Sequence, residues 1–286
     1  MVEVSILCDK VRFEEKSLYE KAQNKGIKSE IVDAKTISVG TYSKKKDFHL
    51  GDVILQRCVS YYRGLYVTAC LEFLGFKVIN RFDVGQICGN KLITSIKLEQ
   101  NKIPTPKTQF AFSAESGLES IKKTGFPQVL KPIVGSWGRG IYPLRDLETA
   151  SMIIEMREED DSPLSRIYYI QEMVDRPTRD IRCIVIGDQA ITAIYRHSSE
   201  SEWRTNVARG GIVELAQITK EMEDLALKAA KAVGGGILGV DMMEDKNRGL
   251  VVHEVNNTVE FRGAASVSKV DIPGEIINYG IKVARR

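Results

Sequence analysis

Two acidic residues in the last third of the chain have the spacing of a cation site. The segment 237–256 predicts a β-hairpin, because two apolar runs flank a cluster of turn-forming residues. A turn centred between Asn247 and Arg248 pairs Asp241 with Glu254 on one face of two neighbouring strands. The hairpin therefore brings two carboxylates together.

Directly opposed carboxylates repel each other unless a cation lies between them. Mg²⁺ takes oxygen ligands from one or two carboxylates and completes its shell with substrate phosphates. Asn256 lies two residues beyond Glu254 and shares its face. The neighbours are mostly apolar, which favours a Mg²⁺ site at Asp241, Glu254 and Asn256 over two solvated acids on an exposed sheet face.

A glycine-rich segment follows a strand that ends in Lys131. Glycines let backbone N–H groups approach phosphate oxygens, and a lysine or arginine neutralises them. The segment does not have the P-loop pattern, and an ordinary hairpin turn would have the same composition. Its candidate residues are Gly135, Ser136, Trp137, Gly138, Arg139 and Gly140.

Two further strand ends carry polar residues. Gln171–Val174 offers polar groups and backbone atoms to a planar base, although an exposed strand end explains it equally well. Asp180 and Arg182 share a strand face, and Arg196 ends the next strand of the predicted hairpin. Paired arginines suit a carboxylate or an acyl phosphate, with ordinary surface ion pairs as the alternative. We assign no role to His197.

The elements that position these residues change character along the chain. Residues 1–90 alternate strand and helix, which predicts a parallel sheet with covering helices, and no GxGxxG follows the first strand. The segment Ile103–Pro106 is an extended connection. Hairpin turns beyond it predict an antiparallel α+β region. The expected strands are Val4–Cys8, Ser29–Asp33, Asp52–Gln56, Lys77–Asn80, Gln128–Pro132, Ile141–Arg145, Ile167–Met173, Arg182–Ile186, Ala190–Tyr195, Ile237–Met242 and Leu250–Val255. The expected helices are Phe13–Asn24, Arg63–Leu74, Asn90–Gln100, Ala114–Lys123, Leu147–Arg157 and Glu221–Val233.

Composition excludes several classes of function. The 286 residues include 41 Lys and Arg against 38 Asp and Glu, and a net charge of +3 is too weak to predict nucleic-acid binding. Five cysteines without a CxxC pair argue against a disulfide framework, and three scattered histidines argue against zinc. No segment reads as a signal peptide or a membrane span. We expect a cytoplasmic protein with no membrane or nucleic-acid partner.

Taken together, these residues resemble the ATP-grasp superfamily in order and spacing over the whole chain. Finer matches resemble its RimK-like branch, and within it the LysX-type ligases with some ArgX-type features. The matching segments are 88–91, 131–132, 135–139, 178–182, 193–196, 205–211, 254–261 and 270–275. The resemblance implies an N-terminal pre-ATP-grasp α/β domain (1–92), a central ATP-grasp subdomain (93–174) and a C-terminal ATP-grasp subdomain (175–286).

The resemblance also assigns roles by position. It implies ATP binding by Lys91, Lys131, Gly135, Ser136, Trp137, Gly138, Arg139, Gly140, Gln171, Glu172, Met173, Val174, Asp180 and Asn206. It implies catalytic roles for Arg182, Arg196 and Lys131, and metal binding by Asp241, Glu254 and Asn256. It implies a substrate site at Arg196, Val207, Ala208, Asn257, Thr258, Glu260, Phe261, Arg262, Gly263 and Ala264.

The activity implied by the resemblance is ADP-forming ligation with ATP and Mg²⁺ as cofactors. LysX-type ligases join the α-amino group of 2-aminoadipate to the C-terminal glutamate of the small acidic carrier LysW, through an acyl phosphate, in lysine biosynthesis. ArgX-type ligases use glutamate, in arginine biosynthesis. Gly263 is ArgX-like and Ala264 is LysX-like, so 2-aminoadipate is favoured while glutamate, or both, stays open.

Other interpretations also stay open. One is a RimK-type ligase that adds glutamate to another acceptor. Another is a nucleotide sensor without turnover, which the retention of Arg182, Asp241, Glu254 and Asn256 disfavours. Two departures from the branch are Gly140, in place of an apolar residue, and Asn90, in place of Asp. The resemblance further implies a homo-oligomer such as a tetramer.

Overall fold

The computed structural model describes residues 2–198 and 212–286. Three sheets account for the described strands. The first is parallel and the other two are antiparallel, as the change of pattern along the sequence predicts.

The first sheet has the strand order β2-β1-β3-β4, and all of its strands are parallel. Its strands are β1 (Glu3–Cys8), β2 (Lys28–Asp33), β3 (Val53–Gln56) and β4 (Lys77–Ile79). The helices of this part are α1 (Phe13–Asn24), α2 (Tyr61–Phe73), α3 (Phe82–Cys88) and α4 (Lys91–Gln100), with short 3₁₀ turns at Ala34–Thr36 and Lys45–Asp47. Asn90 caps α4, its side chain accepting hydrogen bonds from the backbone of Leu92 and Ile93.

The second sheet has the order β5-β8-β6-β7 and is antiparallel throughout. Its strands are β5 (Thr108–Ala111), β6 (Gln128–Lys131), β7 (Tyr142–Leu144) and β8 (Tyr168–Glu172). Helices α5 (Ala114–Thr124) and α6 (Leu147–Glu158) pack on it, and a 3₁₀ turn covers Pro163–Arg166. The glycine-rich loop joins β6 to β7.

The third sheet has the order β11-β10-β9-β12-β13. Its strands are β9 (Arg179–Ile186), β10 (Gln189–His197), β11 (Ile212–Ala216), β12 (Ile237–Asp245) and β13 (Gly249–Asn256), and helix α7 (Lys220–Ala232) packs on one face. On the other face, Ile184 and Ile194 belong to a second apolar cluster, so only part of that face carries the polar residues of the site.

The chain ends in α8 (Arg262–Val267) and α9 (Ile272–Ala284). Helix α9 packs on α1 and on β3, so the last helix of the chain covers the first sheet. Ile272, Ile276 and Ile277 share one buried cluster with Val4 and Leu55. The boundaries of the three predicted domains stay a prediction.

Most predicted elements are present, with ends that move by a few residues. The sequence analysis did not predict α3, β5, β11, α8 or α9. Among the described residues, no helix combines the length and the apolar character needed to cross a bilayer.

The predicted pairing of Asp241 with Glu254 is confirmed, although the turn differs from the prediction. Asp245 pairs with Gly249, so the turn centres on Asn247. A β-bulge then inserts one extra residue, His253, between the pairs Met242–Val252 and Asp241–Glu254. Without the bulge, the tighter turn would place His253 opposite Asp241.

Candidate active site

A cavity of about 330 Å³ lies where the three sheets meet. Its walls come from Arg12 just before α1, from α2 and α3, from the glycine-rich loop, and from β9, β10, β12 and β13. A concave site that collects charged groups from several elements is the usual form of a small-molecule site.

Asp241 lies at the centre of the charged wall and is 2% exposed. Arg182 binds its two carboxylate oxygens through Nε and Nη2, at 2.8 and 2.7 Å. Arg196 Nη2 lies 3.0 Å from Oδ2, and the side-chain amide of Asn256 donates to the same oxygen at 3.2 Å. Burial alone would raise the pKa of Asp241, but the charges of Arg182 and Arg196 hold it well below its usual range.

Arg196 is itself buried and joins a second carboxylate to this centre. Its Nε and Nη2 donate to the two oxygens of Asp180 at 2.7 and 2.9 Å. Burial opposes the charge, but Asp241 and Asp180 raise the pKa of Arg196 above its ordinary value. The predicted convergence of Arg182 and Arg196 is thus confirmed, and both arginines are held by buried carboxylates.

Glu254 lies opposite Asp241, and its Oε1 is 3.5 Å from Nζ of Lys91. Burial raises the pKa of Glu254, but the charge of Lys91 outweighs it and the pKa falls below its ordinary value. The described residues contain no cluster of three or more His, Cys, Asp or Glu side chains that could hold a metal. A Mg²⁺ ion needs only one or two carboxylates together with phosphate oxygens, so Asp241, Glu254 and Asn256 fit that ion as oxygen ligands.

Lys131 lies at the end of β6 and is 8% exposed. Its Nζ donates to Oε1 of Gln171 at 2.6 Å, and Gln171 donates in turn to Tyr169 and Thr108. Burial lowers the pKa of Lys131 to about 8, and the positive charge of Lys91 acts in the same direction. Lys131 therefore loses its proton at a lower pH than an ordinary lysine does, and an anion bound beside it would raise its pKa again.

The glycine-rich loop carries three residues in the left-handed region of φ. Trp137, Gly138 and Gly140 have φ of 57°, 68° and 66°. A side chain at Gly140 would be strained in this conformation. Arg139 stacks on Trp137 at 5.1 Å, and Lys91 donates to the carbonyl of Gly135 at 2.8 Å.

This loop also lies partly on the cavity wall. Gly135, Ser136, Trp137, Gly138 and Arg139 line the cavity, whereas Gly140 does not. The backbone of the loop therefore faces the same space as Lys91, Lys131 and the carboxylates.

The segment predicted to hold the base does not line the cavity. Gln171 is buried behind Lys131. Glu172 accepts a hydrogen bond from the backbone of Lys107 at 2.8 Å, and Met173 N–H donates to the carbonyl of Pro127. Val174, like these residues, lies off the wall.

The predicted substrate residues divide into two groups. Asn257, Thr258 and Glu260 line the cavity. Phe261 and Ala264 are buried in the core, Arg262 lies over the ring of Phe13, and a Cβ on Gly263 would meet Val213 at 3.3 Å. Asn206, Val207 and Ala208 lie outside the described residues.

The structure adds residues that the sequence analysis missed. Arg12, Ser60, Arg81 and Arg176 line the cavity, and no motif marks them in the sequence. His253 also lines it, because the bulge turns its side chain toward Lys131 and the carboxylates. Both ring nitrogens of His253 are buried without a hydrogen-bond partner, and burial lowers its pKa to about 4, with Lys131 adding to the effect.

Comparisons with known proteins agree on one family. A RimK-like ATP-grasp domain matches residues 88–280, and a LysX preATP-grasp domain matches residues 4–87. The chain is 38% identical over 264 residues to an α-aminoadipate–LysW ligase LysX of Saccharolobus solfataricus, covering 91% of this chain and 94% of the relative. It is 32% identical over 276 residues to a glutamate–LysW ligase ArgX of Sulfolobus acidocaldarius, covering 96% of this chain and 97% of the relative.

Among solved structures, the chain is similar to a RimK domain ATP-grasp protein from Sphaerobacter thermophilus, with a TM-score of 0.79 and 22% identity. That match covers 98% of this chain and 99% of the other. The predicted ATP-grasp architecture, a parallel domain followed by two α+β subdomains, is confirmed.

Proposed function

This chain belongs to the RimK-like ATP-grasp family of ligases, and on that premise we propose that it joins 2-aminoadipate to the C-terminal carboxylate of a LysW-like carrier with the conversion of ATP to ADP and inorganic phosphate. The observation that carries the proposal is the centre at Asp241. Two carboxylates and two arginines meet there beside two lysines and a glycine-rich loop. Such a centre suits the transfer of a phosphoryl group to a carboxylate.

The nucleotide end of the cavity is assigned to Lys91, Lys131 and the loop from Gly135 to Arg139. Both lysines neutralise phosphate oxygens, and the loop offers backbone N–H groups. Asp241, Glu254 and Asn256 would hold Mg²⁺ by oxygen atoms. When bound there, Mg²⁺ supplies positive charge that stabilises the phosphates during transfer.

The proposed reaction has two steps. In the first, a carboxylate oxygen of the carrier attacks the γ-phosphorus of ATP, the bond to the β-phosphate oxygen breaks, and ADP leaves. In the second, the amine of the amino acid, after its ammonium group has lost a proton, attacks the carbonyl carbon of the acyl phosphate. The bond from that carbon to the phosphate oxygen breaks, a second proton leaves the nitrogen, and an amide and inorganic phosphate form; phosphate oxygens or water take up the protons. Arg182 stabilises the oxyanion of the tetrahedral intermediate. Arg196 binds Asp241 and Asp180, and Asp241 in turn holds Arg182 in position.

Glutamate is the second candidate for the amino acid. One relative is named for glutamate and another for aminoadipate, and each matches almost the whole chain. Gly263 agrees with the glutamate enzymes and Ala264 with the aminoadipate enzymes. A chain that accepts both substrates, or a RimK-type ligase with another acceptor, remains an outcome of the experiment.

Mass spectrometry of the carrier tests reaction, partner and substrate together. The purified protein is incubated with Mg²⁺, ATP and a LysW-like carrier, with aminoadipate or glutamate added separately. We expect the carrier to gain the mass of one aminoadipate residue. A glutamate adduct would identify glutamate, instead of 2-aminoadipate, as the substrate. If neither adduct forms but ADP is released with another carboxylate, the carrier proposal is wrong and the ligase proposal stands.

The remaining parts of the proposal concern organisation. We propose the three-domain division at residues 92 and 174, a homo-oligomer such as a tetramer, and a cytoplasmic location. Light scattering coupled to size exclusion gives the oligomeric mass directly. A monomer at micromolar concentration would contradict that part alone.

A further inference from the structure

Arg12 lies on the cavity wall just before α1, and a buried carboxylate binds its guanidinium group. Its Nε and Nη2 bind the two oxygens of Glu15 at 3.2 and 3.0 Å. Glu15 is completely buried and also accepts a hydrogen bond from the buried Arg57 at 3.2 Å. One edge of the Arg12 guanidinium, Nε and Nη2, is therefore fixed, and Nη1 remains for the cavity.

That remaining edge meets one carboxylate. Arg12 Nη1 lies 2.7 Å from Oε1 of Glu260, whose side chain is 39% exposed. The Arg12 side chain is 17% exposed. Both residues line the cavity, so the pair joins the first domain to the loop after β13 within the site itself.

Residues of helix α1 also hold the backbone next to Glu260. A carboxylate oxygen of Glu14 accepts hydrogen bonds from the N–H groups of Phe261 and Arg262, both at 3.2 Å. The ring of Phe13 packs edge-on against Phe261 at 6.1 Å. The main chain of the loop is thus held by Glu14, while the partly exposed Glu260 side chain makes its ion pair with Arg12.

Four other cations of the cavity wall bind other groups. Arg182 and Arg196 bind Asp241, while Lys91 and Lys131 face Glu254 and Gln171. Arg12 is bound to none of these groups. The Arg12–Glu260 pair is therefore a separate charged unit of the cavity.

We propose that Arg12 and Glu260 form the receptor for the charged ends of the α-amino acid substrate. Arg12 takes the α-carboxylate, and Glu260 turns away from Arg12 to take the ammonium group. The α-carbon of an amino acid carries one group of each sign, so the substrate replaces one ion pair by two and both α-groups meet an opposite charge. The inference rests on the proposed function, because an amino acid must bind beside the acyl phosphate.

Three variants and a control test the receptor. R12Q removes the positive charge of Arg12, and R12K keeps a positive charge without the two-pronged guanidinium. E260Q removes the negative charge that would bind the substrate ammonium group. R63Q is the matched control, since Arg63 pairs with Asp9 at 2.8 Å in the same domain but does not line the cavity. We expect R12Q and E260Q to raise the KM for the amino acid at least about tenfold, with the KM for ATP within about twofold and partial recovery in R12K.

Substrate analogues identify which carboxylate Arg12 binds. 5-Aminopentanoate is 2-aminoadipate without its α-carboxylate, and 4-aminobutanoate is the same analogue of glutamate. The wild type is expected to prefer the amino acid over this analogue by at least about tenfold in kcat/KM, and R12Q is expected to lose most of that preference. If R12Q keeps the full preference, Arg12 does not bind the α-carboxylate and the inference is wrong.

A binding measurement separates this inference from the proposed function. Calorimetric titration with the amino acid, in the presence of a non-hydrolysable ATP analogue and without carrier, needs no turnover. Binding that is lost in R12Q and E260Q supports the receptor even if no carrier adduct forms, which would contradict the proposed function alone. Equal binding by wild type and E260Q, whose exposed side chain is not needed for folding, would overturn the inference, as would a wild type that binds no amino acid.

Discussion

The two ends of the cavity are built in opposite ways. At the phosphate end, Asp241 and Arg196 are nearly inaccessible, and four charges compensate one another within a single sheet. At the other end, the Arg12–Glu260 pair bridges two domains and is partly exposed on both sides. The first end is held by buried ion pairs, while the second rests on one partly exposed ion pair.

This difference matches the two tasks of a ligase. Phosphoryl transfer is the same for every substrate and profits from charges fixed in advance, since they need no reorganisation during the reaction. Selection of the amine profits from a pair that opens only for a ligand with both charges. We expect substitutions at the phosphate end to abolish turnover and substitutions at the other end to change preference.

The largest effect is expected at Asp241. In D241N, Arg182 and Arg196 both lose the charge of Asp241, Arg196 keeps Asp180 as a partner, and the cation loses a ligand. We expect ADP release to fall by at least about a thousandfold. Stability should drop by about 3–5 kcal/mol, because Arg196 stays buried with one carboxylate fewer. Steady-state ADP release and urea unfolding measure the two effects.

The control for this prediction lies on the same strand. Glu244 pairs with Arg179 at 2.8 Å, with both side chains about one-third exposed. E244Q should leave turnover within about twofold, because a partly solvated ion pair contributes little. Equal turnover of D241N and E244Q would contradict the metal assignment.

The second effect concerns Lys131 and pH. Its pKa of about 8 lies below the ordinary 10.5, so the folded protein loses this charge as the pH rises through 8 while the unfolded chain keeps it. ATP affinity should then fall by up to about tenfold per pH unit above 8, and the stability of the free protein should rise over the same window, because the unfolded state binds more protons.

Calorimetry of ATP binding and denaturant unfolding at pH 7, 8 and 9 check both trends. The variant K131M should show weak ATP binding with little dependence on pH in this range. If K131M keeps the pH dependence of the wild type, another group is responsible for it.

A smaller effect is expected at Glu14, which caps α8 from the other domain. In E14A the N–H groups of Phe261 and Arg262 lose their acceptor, which should cost about 1 kcal/mol. We expect faster hydrogen exchange in residues 257–264, with a higher KM for the amino acid and an unchanged KM for ATP. Glu20 is an exposed residue of the same helix, and E20A serves as the control. Unchanged exchange in E14A would mean that the loop is held by other contacts.

The smallest effect is expected at Gly263. A Cβ there would lie 3.3 Å from Val213, so a new side chain must shift its neighbour by a few tenths of an ångström. We expect G263N to move the ratio of kcat/KM toward aminoadipate by a few-fold, about 1 kcal/mol or less. The ratio is measured in one mixture by mass spectrometry of the carrier. A ratio equal to that of the wild type would remove position 263 from substrate selection.

Local pattern was sufficient to predict most of the fold. Alternation of strand and helix identified the parallel sheet, and hairpin turns identified the antiparallel ones. Helix α9 was missed although its signals are present, since Asp271 caps it and a proline lies in its first turn. Short β5 follows two prolines, and its pairing with β8 is a long-range contact that no local pattern shows.

The site was predictable where its residues lie on one hairpin. Asp241 and Glu254 face each other as predicted. The tighter turn alone would shift their pairing by one residue, and the bulge at His253 restores it. No sequence pattern indicates this bulge. Arg12 could not be found from the sequence, because its partner Glu260 lies 248 residues away. Contacts between domains are decided by packing, and periodicity does not report them.

The position of α9 has a consequence for how the protein is made. The apolar face formed by Val4, Leu18 and Leu55 is covered by Ile272 and Ile276, which the ribosome adds long after them. During synthesis this apolar surface of the first domain therefore stays uncovered until helix α9 has emerged. We expect a shortened gene product that ends before residue 270 to aggregate or to be held by chaperones, and co-expression of the missing helix to rescue its solubility.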